Sequence, residues 1–154
     1  MVDVVNNTAL HLNTWQTPSA DELVKRGLNL LSYYANLVVE NAEKFKEFTD
    51  YMVADAYFSK KPFADAVSIA GMRFISRLRD YSVLKYKYTG EPAGKKGAPR
   101  KYTGKVDVKN LDYNYFSMEL CNQDVQTDPA VVYSQAFKRD INLLLPFSIK
   151  GGKK

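Results

Sequence analysis

The sequence predicts an α/β fold in which the expected secondary structure changes near residue 80, from mixed helices and strands to strands. The chain has 154 residues, of which 45% are hydrophobic and 25% charged, the size and composition of a globular protein with a buried core. Residues 1–80 follow the order hairpin, helix, strand, helix, strand. Residues 81–154 consist of β-prone segments separated by Gly, Pro and Asp turns, with no clear helical period. We therefore expect an α/β part at 1–80 and a β-rich part at 81–154.

The first elements are expected to be a hairpin and a long helix. Residues 2–17 read as two short β segments around Asn6-Asn7-Thr8, because Asn tolerates the positive φ of tight hairpins. Ser19, followed three residues later by Glu22, is typical of a capping box that begins a helix. Apolar residues then recur at helical spacing, which predicts one amphipathic helix up to about Phe48. The residues with this spacing are Leu23, Leu30, Tyr34, Leu37, Val38 and Phe45.

A strand, a helix and a second strand are predicted next. The run YMVADA (51–56) is short and apolar and contains one carboxylate, Asp55, a pattern typical of a buried central strand. Pro62 suits the first turn of a helix through FADAVSIAG, and Gly71 suits its end. Residues 74–79, FISRLR, predict the second strand, with Arg77 and Arg79 on one face because side chains alternate along a strand.

The second part is expected to contain a basic loop. The predicted strands are VLKYKY (83–88), Tyr113 to Leu120, Ala130 to Tyr133 and Ile141 to Leu145. The stretch GEPAGKKGAPRKYTG at 90–104 holds four glycines and two prolines, which predicts an exposed, mobile loop between two strands.

Several classes of function are disfavoured by composition and by missing motifs. The single Cys121 cannot form an internal disulfide, and one Cys with one His cannot make a zinc cluster. No Walker loop, dinucleotide-binding fingerprint or nucleophile elbow is present. No apolar run approaches the length of a membrane span, and the N-terminus lacks an export signal. We therefore expect a cytoplasmic protein that does not enter membranes.

The basic residues favour a polyanionic partner. The net charge is +5, yet residues 1–50 carry a balance of −3, so the basic excess lies further along the chain. The candidates for contacts with DNA phosphates are Lys60, Lys61, Arg77, Arg79, Lys95, Lys96, Arg100 and Lys101. Solvated charges, or ion pairs with Asp65 and Asp80, are the competing interpretation.

Asp55 is the strongest candidate for chemistry, and the pattern leaves two interpretations open. Open α/β sheets bind ligands at the carboxyl ends of their strands, where a carboxylate can hold Mg²⁺ together with a substrate phosphate. An aspartate in this position is also common as a turn or cap residue. No spacing in the sequence connects Asp3, Asp50 or Asp65 to Asp55 as further ligands.

Longer stretches resemble a known family. YMVADAYFSKKPF (51–63), FISRLRDYSVLKYKYTG (74–90) and GKKGAPRKYTGKVD (94–107) resemble the middle of bacterial insertion-sequence transposases of the Asp-Asp-Glu class, in particular those of Bacteroides-type bacteria. ALHLNTWQTPS (9–19) resembles the segment before the first core helix of these enzymes. The resemblance implies a partial ribonuclease H-like core at 1–80, followed by a β-rich insertion at 81–154.

The resemblance also implies a chemistry and its partners. Three carboxylates in this family hold two Mg²⁺ ions that activate water or a DNA 3′-hydroxyl for attack on a phosphodiester. Asp55 matches the second carboxylate, whereas the first Asp and the Glu have no match in this chain. The implied partners are transposon DNA ends and a full-length transposase, and the implied location is the bacterial nucleoid.

The two unmatched carboxylates lead to a specific expectation. The chain should be an internal fragment of a transposase that is inactive alone, with a strand edge left unpaired and prone to aggregation. Metal-dependent DNA cleavage by the purified chain, abolished by Asp55→Ala, would refute this expectation. The alternatives are a non-catalytic DNA-binding module, which could interfere with a full-length transposase, and an inert pseudogene product.

Overall fold

The first half of the chain contains both helices and strands, whereas the described elements of the second half are all strands. The computed structural model describes residues 2–3, 5–9, 11–91, 99–117, 119–120 and 125–148. The chain divides into two units, Met1–Arg79 and Asp80–Lys154, a boundary one residue from that drawn on the sequence. The fold is mixed α/β in the described residues.

The N-terminal hairpin is present and short. Strands β1 (Val2–Asp3) and β2 (Thr8–Ala9) pair antiparallel. Between them Asn7 has a φ of 54°, the positive value for which Asn was expected at this turn. No strand follows β2 within residues 11–19, so the hairpin covers only part of the predicted segment.

The prediction of one long helix is wrong, because polar residues and a glycine divide the segment into three helices. Helix α1 (Ala20–Lys25) begins with the predicted capping box of Ser19 and Glu22. After it Gly27 has a φ of +66°, a conformation that a helix cannot contain. Helix α2 (Leu30–Glu40) then begins anew, with the Asn29 side chain accepting a hydrogen bond from Ser32 N. Asn41 separates α2 from α3 (Ala42–Lys46).

The predicted strand, helix and strand follow in the expected order. Strands β3 (Tyr51–Ala54) and β4 (Arg73–Ser76) pair in parallel, with Met52 opposite Phe74. Helix α4 (Lys61–Ile69) connects them, with proline in its first turn, and Gly71 at a φ of +71° follows it. Because β4 ends at Ser76, the prediction that Arg77 and Arg79 share a strand face is wrong.

The core of the first unit lies between α2, α4 and one face of the β3–β4 sheet. Phe58 and Phe74 pack against buried residues of the two helices, against the first residue of α3 and against the turn that follows α4: Leu31, Ala35, Val38, Ala42, Phe63, Ala66, Val67, Ala70 and Met72. The opposite sheet face is open, since Val53 is 71% and Ile75 50% exposed. Within the described residues β3 pairs only with β4, so the prediction of a buried central strand is wrong.

The second unit is an antiparallel five-stranded sheet arranged around one long strand. Its strands are β5 (Leu84–Lys87), β6 (Tyr102–Lys105), β7 (Glu119–Leu120), β8 (Val125–Ser134) and β9 (Arg139–Ser148). Strand β9 follows β8 along all ten residues, while β5 and β7 share the other edge of β8. Strand β6 continues the sheet beyond β5.

Two details of the β-rich prediction are corrected. Residues 102–104 of the expected loop at 90–104 belong to strand β6, because they pair with β5. Among the described residues of the expected strand from Tyr113 to Leu120, only Glu119–Leu120 is strand, and Tyr113 and Tyr115 lie in turns. One face of the sheet is buried through Leu84, Tyr86, Val106, Phe116, Ala130, Val132, Phe137 and Leu143.

None of the helices in the described part of the chain combines the length and hydrophobicity needed to cross a bilayer.

Candidate functional site

Asp55 lies immediately after the carboxyl end of β3, in a tight turn. Its Oδ1 accepts a hydrogen bond of 2.8 Å from the backbone N–H of Tyr57, and its backbone oxygen accepts one of 3.1 Å from Phe58 N. This is the Asx turn expected of an ordinary turn aspartate. The residue is exposed, however, and Oδ2 makes no hydrogen bond to a described residue. The turn therefore fixes one carboxylate oxygen and leaves the other open to a ligand.

Two serines connect this turn to the end of β4. The hydroxyls of Ser59 and Ser76 lie 2.6 Å apart. Ser59 Oγ is also 2.6 Å from the backbone oxygen of Arg77, and Ser76 Oγ is 2.9 Å from that of Asp55. Two hydroxyl protons serve these three contacts, so two of the bonds form at a time. Because Ser59 is buried, the network holds the β3–α4 turn, and with it Asp55, against the neighbouring strand.

Asp55 does not by itself fit a two-metal centre. Among the described residues no group of three or more His, Cys, Asp or Glu side chains lies close enough to hold a metal ion. Asp65 forms an ion pair with Lys61 in the first turns of α4, and Asp50 precedes the opposite end of β3. The side chain of Asp3 lies outside the described residues. One carboxylate supplies only part of the oxygen shell that Mg²⁺ requires.

Four basic residues of the first unit were predicted to contact DNA phosphates, and their side chains make different contacts within the chain. Lys61 pairs with Asp65, as the competing interpretation expected. Lys60 Nζ lies 4.6 Å from the ring centroid of Tyr57, a cation–π contact beside the Asp55 turn. Arg79 Nε donates to the backbone oxygen of Ala56 at 3.2 Å.

Arg77 is the exposed cation next to the turn. It directly follows β4, and its side chain makes no ion pair or hydrogen bond with another described residue. Lys60 and Arg77 therefore flank the Asp55 turn from α4 and β4, the two elements that adjoin it. This arrangement can attract an anionic substrate to the carboxyl end of β3.

Arg100 and Lys101 lead into strand β6 of the second unit. Arg100 donates from Nε to the oxygen of Tyr102 and from Nη2 to that of Thr103, both at 2.9 Å, and its guanidinium lies 5.3 Å from the Tyr88 ring centroid. Arg100 thus shapes the chain before β6. Lys101 is exposed. Lys95 and Lys96 lie outside the described residues.

A cluster on the solvent face of the five-stranded sheet was missed from the sequence. The rings of Tyr102 and Tyr133 have centroids 4.6 Å apart, and Lys85 Nζ lies 5.4 Å from the Tyr102 centroid. Lys87 forms an ion pair of 2.6 Å with Asp140. The signal was the alternation LKYK at 84–87, which marks the two lysines as outward-facing, but the pairing of β5 with β6 and β8 was needed to assemble the cluster.

The cluster perturbs one tyrosine. Burial raises the pKa of the Tyr102 phenol above its usual value, and Tyr133 and Asp140 raise the pKa further, while Lys87 opposes them. Negative charge on Tyr102 is disfavoured because the ring is partly desolvated and an acidic side chain lies near it. Tyr102 therefore stays neutral throughout the physiological range of pH.

Comparisons of the chain with protein-family models, with curated proteins and with solved structures found no match.

Proposed function

We propose that this chain is an internal part of a bacterial DNA transposase of the Asp-Asp-Glu class, in which Asp55 is one of the carboxylates that hold Mg²⁺. In its complete form such an enzyme cuts and joins DNA ends by two-metal phosphodiester chemistry. The observation that carries the proposal is the exposed carboxylate of Asp55, held at the carboxyl end of a parallel strand with one oxygen open. That edge is where open α/β sheets bind ligands.

The surroundings of Asp55 support the proposal through charge and through rigidity. Lys60 and Arg77 would neutralise phosphates beside the carboxylate, as DNA binding requires. Ser59 and Ser76 fix the turn, and catalytic constellations depend on such supporting hydrogen bonds. The order of β3, α4 and β4 is compatible with the partial ribonuclease H-like core that the resemblance implies.

The proposal assigns no activity to this chain alone. Among the described residues Asp55 belongs to no group of three or more side chains that could hold a metal ion, and the proposal places the other ligands in a longer protein or in a second chain. Purified chain with Mg²⁺ is expected to leave DNA uncut. Its partners would be transposon ends and a full-length transposase, in the bacterial cytoplasm at the nucleoid.

The test begins with the coding DNA on either side of this segment, read in all frames. The proposal expects an upstream strand carrying an Asp and a downstream helix carrying a Glu. A protein that joins these segments to the chain should cut transposon-end DNA in the presence of Mg²⁺, and Asp55→Asn should abolish cutting. Asp50→Asn, at the other end of β3, is the matched control and should cut normally. Normal cutting by Asp55→Asn would refute the proposal.

A non-catalytic DNA-binding module is the second candidate. It is favoured by the finding that no group of three or more potential metal ligands lies together among the described residues. It is also favoured by the net charge, because residues 80–154 hold thirteen Lys and Arg against eight Asp and Glu. This candidate gains if the chain binds DNA with a strong salt dependence, the flanking DNA encodes neither carboxylate, and Asp55→Ala changes nothing.

A further inference from the structure

The solvent face of the five-stranded sheet carries a row of polar and aromatic side chains across four strands. The register sets Lys105 of β6 opposite Lys85 of β5, Lys85 opposite Tyr133 of β8, and Tyr133 opposite Asp140 of β9. Cross-strand partners point to the same face of a sheet. These four side chains therefore form one continuous row.

A bulge brings a second tyrosine to the same face. Lys85 and Lys87 are two residues apart on β5, whereas their partners Lys105 and Tyr102 are three apart on β6. The extra residue on β6 lets Tyr102 and Lys105 face the same side despite their odd spacing. The Tyr102 ring can thus lie against Tyr133, with its centroid 4.6 Å away.

The two lysines at the start of the row carry uncompensated charge. Like charges directly opposite each other across strands are destabilising. Lys85 and Lys105 occupy such a position, and neither forms an ion pair within the described part of the chain. Lys87 differs, because Asp140 neutralises it at 2.6 Å. An anion held between Lys85 and Lys105 would relieve their repulsion.

The tyrosines supply flat aromatic surface next to this cationic pair. Tyr102 and Tyr133 are half-buried, with rings tilted by 37° to each other, and so retain partly exposed ring surface. Lys85 Nζ lies over the Tyr102 ring at 5.4 Å, which places an amine beside the aromatic surface. Aromatic rings that stack on bases, combined with amines that contact phosphates, are the usual means by which proteins bind unpaired nucleotides.

We propose that this face, defined by Lys85, Tyr102, Lys105 and Tyr133, binds unpaired nucleotides of a DNA strand. A base stacks on the tyrosine pair, and an adjacent phosphate lies between the two lysines. The identity of the polyanion as DNA rests on the proposed function. The face would then hold a strand that has been opened or frayed, because bases inside a duplex cannot reach the rings.

The test uses the full chain and fluorescence anisotropy with a labelled single-stranded DNA oligonucleotide, its duplex and the RNA of the same sequence. The single-stranded DNA should bind more tightly than the duplex. Tyr133→Leu, which keeps an apolar side chain against the sheet, should weaken that binding about tenfold. Tyr133→Phe keeps the stacking ring and should bind like wild type.

Charge variants provide a second arm that does not depend on the rings. Lys85→Gln with Lys105→Gln should weaken binding and reduce the slope of log affinity against log salt by about one phosphate contact. Lys109→Gln, at an exposed turn outside the sheet, is the matched control and should leave affinity within about twofold. Circular dichroism of each variant verifies that it is folded.

Three outcomes would overturn the proposal. They are equal affinity for single strand and duplex, indifference of binding to both the tyrosine and the lysine changes, and a clear preference for RNA. If the chain binds single strands through the tyrosines but the joined protein shows no Asp55-dependent cutting, the proposed function is refuted and the proposed nucleotide-binding face stands. If the joined protein shows Asp55-dependent cutting but the chain has no preference for single strands, the proposed function stands and the nucleotide-binding face is refuted.

Discussion

A buried serine determines the position of the candidate metal ligand at the scale of single residues. Asp55 itself is exposed and is held by a local turn, whereas Ser59 reaches across to Ser76 and to the backbone of Arg77. The turn and the strand are thereby connected through side chains that the sequence places 17 residues apart. The position of the Asp55 turn against β4 therefore rests on this serine network as well as on the local contacts of Asp55.

Replacement of Ser59 tests this support. Ser59→Ala removes a buried hydroxyl and leaves the oxygen of Arg77 without that donor, so we expect a loss of about 1–2 kcal/mol in the free energy of unfolding. Ser117→Ala, at an exposed position whose hydroxyl bonds to no described residue, should change it by less than about 0.5 kcal/mol. Urea denaturation of both variants measures the difference, and equal effects would show that the hydroxyl network contributes little.

The raised pKa of Tyr102 makes the free energy of unfolding depend on pH in the alkaline range. Its pKa is raised in the folded chain, so the unfolded chain releases the phenol proton at a lower pH than the folded chain does. The contribution of the neutral phenol is therefore complete below the ordinary tyrosine pKa of about 10 and is lost as the pH rises through the folded value. As the pH rises above about 10, the free energy of unfolding should fall less for Tyr102→Phe than for wild type, as measured by denaturation across this range. Parallel curves for the two proteins would contradict the raised pKa.

At the scale of elements, caps and turns that act within a few residues were predictable, whereas the two breaks inside the long apolar stretch were not. The capping box at Ser19 and the turn at Asn7 were found because each acts within a few residues. The breaks at Gly27 and Asn41 were missed because the apolar spacing continues through both breaks, since all three helices contribute buried residues along this stretch. Hydrophobic period reports which face is buried, not whether the backbone is continuous.

Gly27 allows this explanation to be tested. A side chain at Gly27 would meet no atom within 4 Å, so a loss of stability in Gly27→Ala comes from the positive φ and not from a steric clash. We expect a loss of about 1 kcal/mol. Gly104→Ala also enters open space, but at a residue without a positive φ, and should be neutral or slightly stabilising. Thermal or urea unfolding compares the two, and equal losses would refute the backbone explanation.

The candidate site was predictable to a similar extent. Asp55 and its place after β3 followed from the short apolar run and from the resemblance. The ion pair of Lys61 with Asp65 was one of the interpretations that the sequence left open. The contacts of Arg79 with Ala56 and of Arg100 with β6 depend on side-chain geometry that spacing does not reveal. The tyrosine and lysine face depends on strand pairing between residues far apart in the chain, including a bulge.

At the scale of the whole molecule, charge is distributed unequally between the two units. Residues 1–79 hold nine basic and nine acidic side chains, so the entire net charge of +5 belongs to residues 80–154. The first unit instead exposes apolar side chains on its sheet, with Tyr51 46% and Val53 71% exposed. We therefore expect the second unit to dominate contacts with polyanions and the first to dominate self-association.

The exposed sheet of the first unit predicts self-association of the purified chain. Within the described residues β3 and β4 pair only with each other, and an open edge beside exposed apolar residues favours pairing between molecules. Val53→Lys places a charge on this surface and should shift sedimentation toward the monomer. Asn36→Lys, at an exposed site on α2, is the control and should not. A wild-type chain that is monomeric and melts sharply would contradict this prediction.

Exchange of the Asp55 carboxylate for a thiolate is the most direct test of the proposal that Asp55 is a metal ligand. In the protein that joins this chain to segments supplying the other carboxylates, Asp55→Cys should lose DNA cutting in Mg²⁺ and regain part of it in Mn²⁺. Mg²⁺ requires hard oxygen ligands, whereas Mn²⁺ binds sulfur more readily. Asp50→Cys should cut in both ions. Full activity of Asp55→Cys in Mg²⁺, or an equal loss in both ions, would contradict the account.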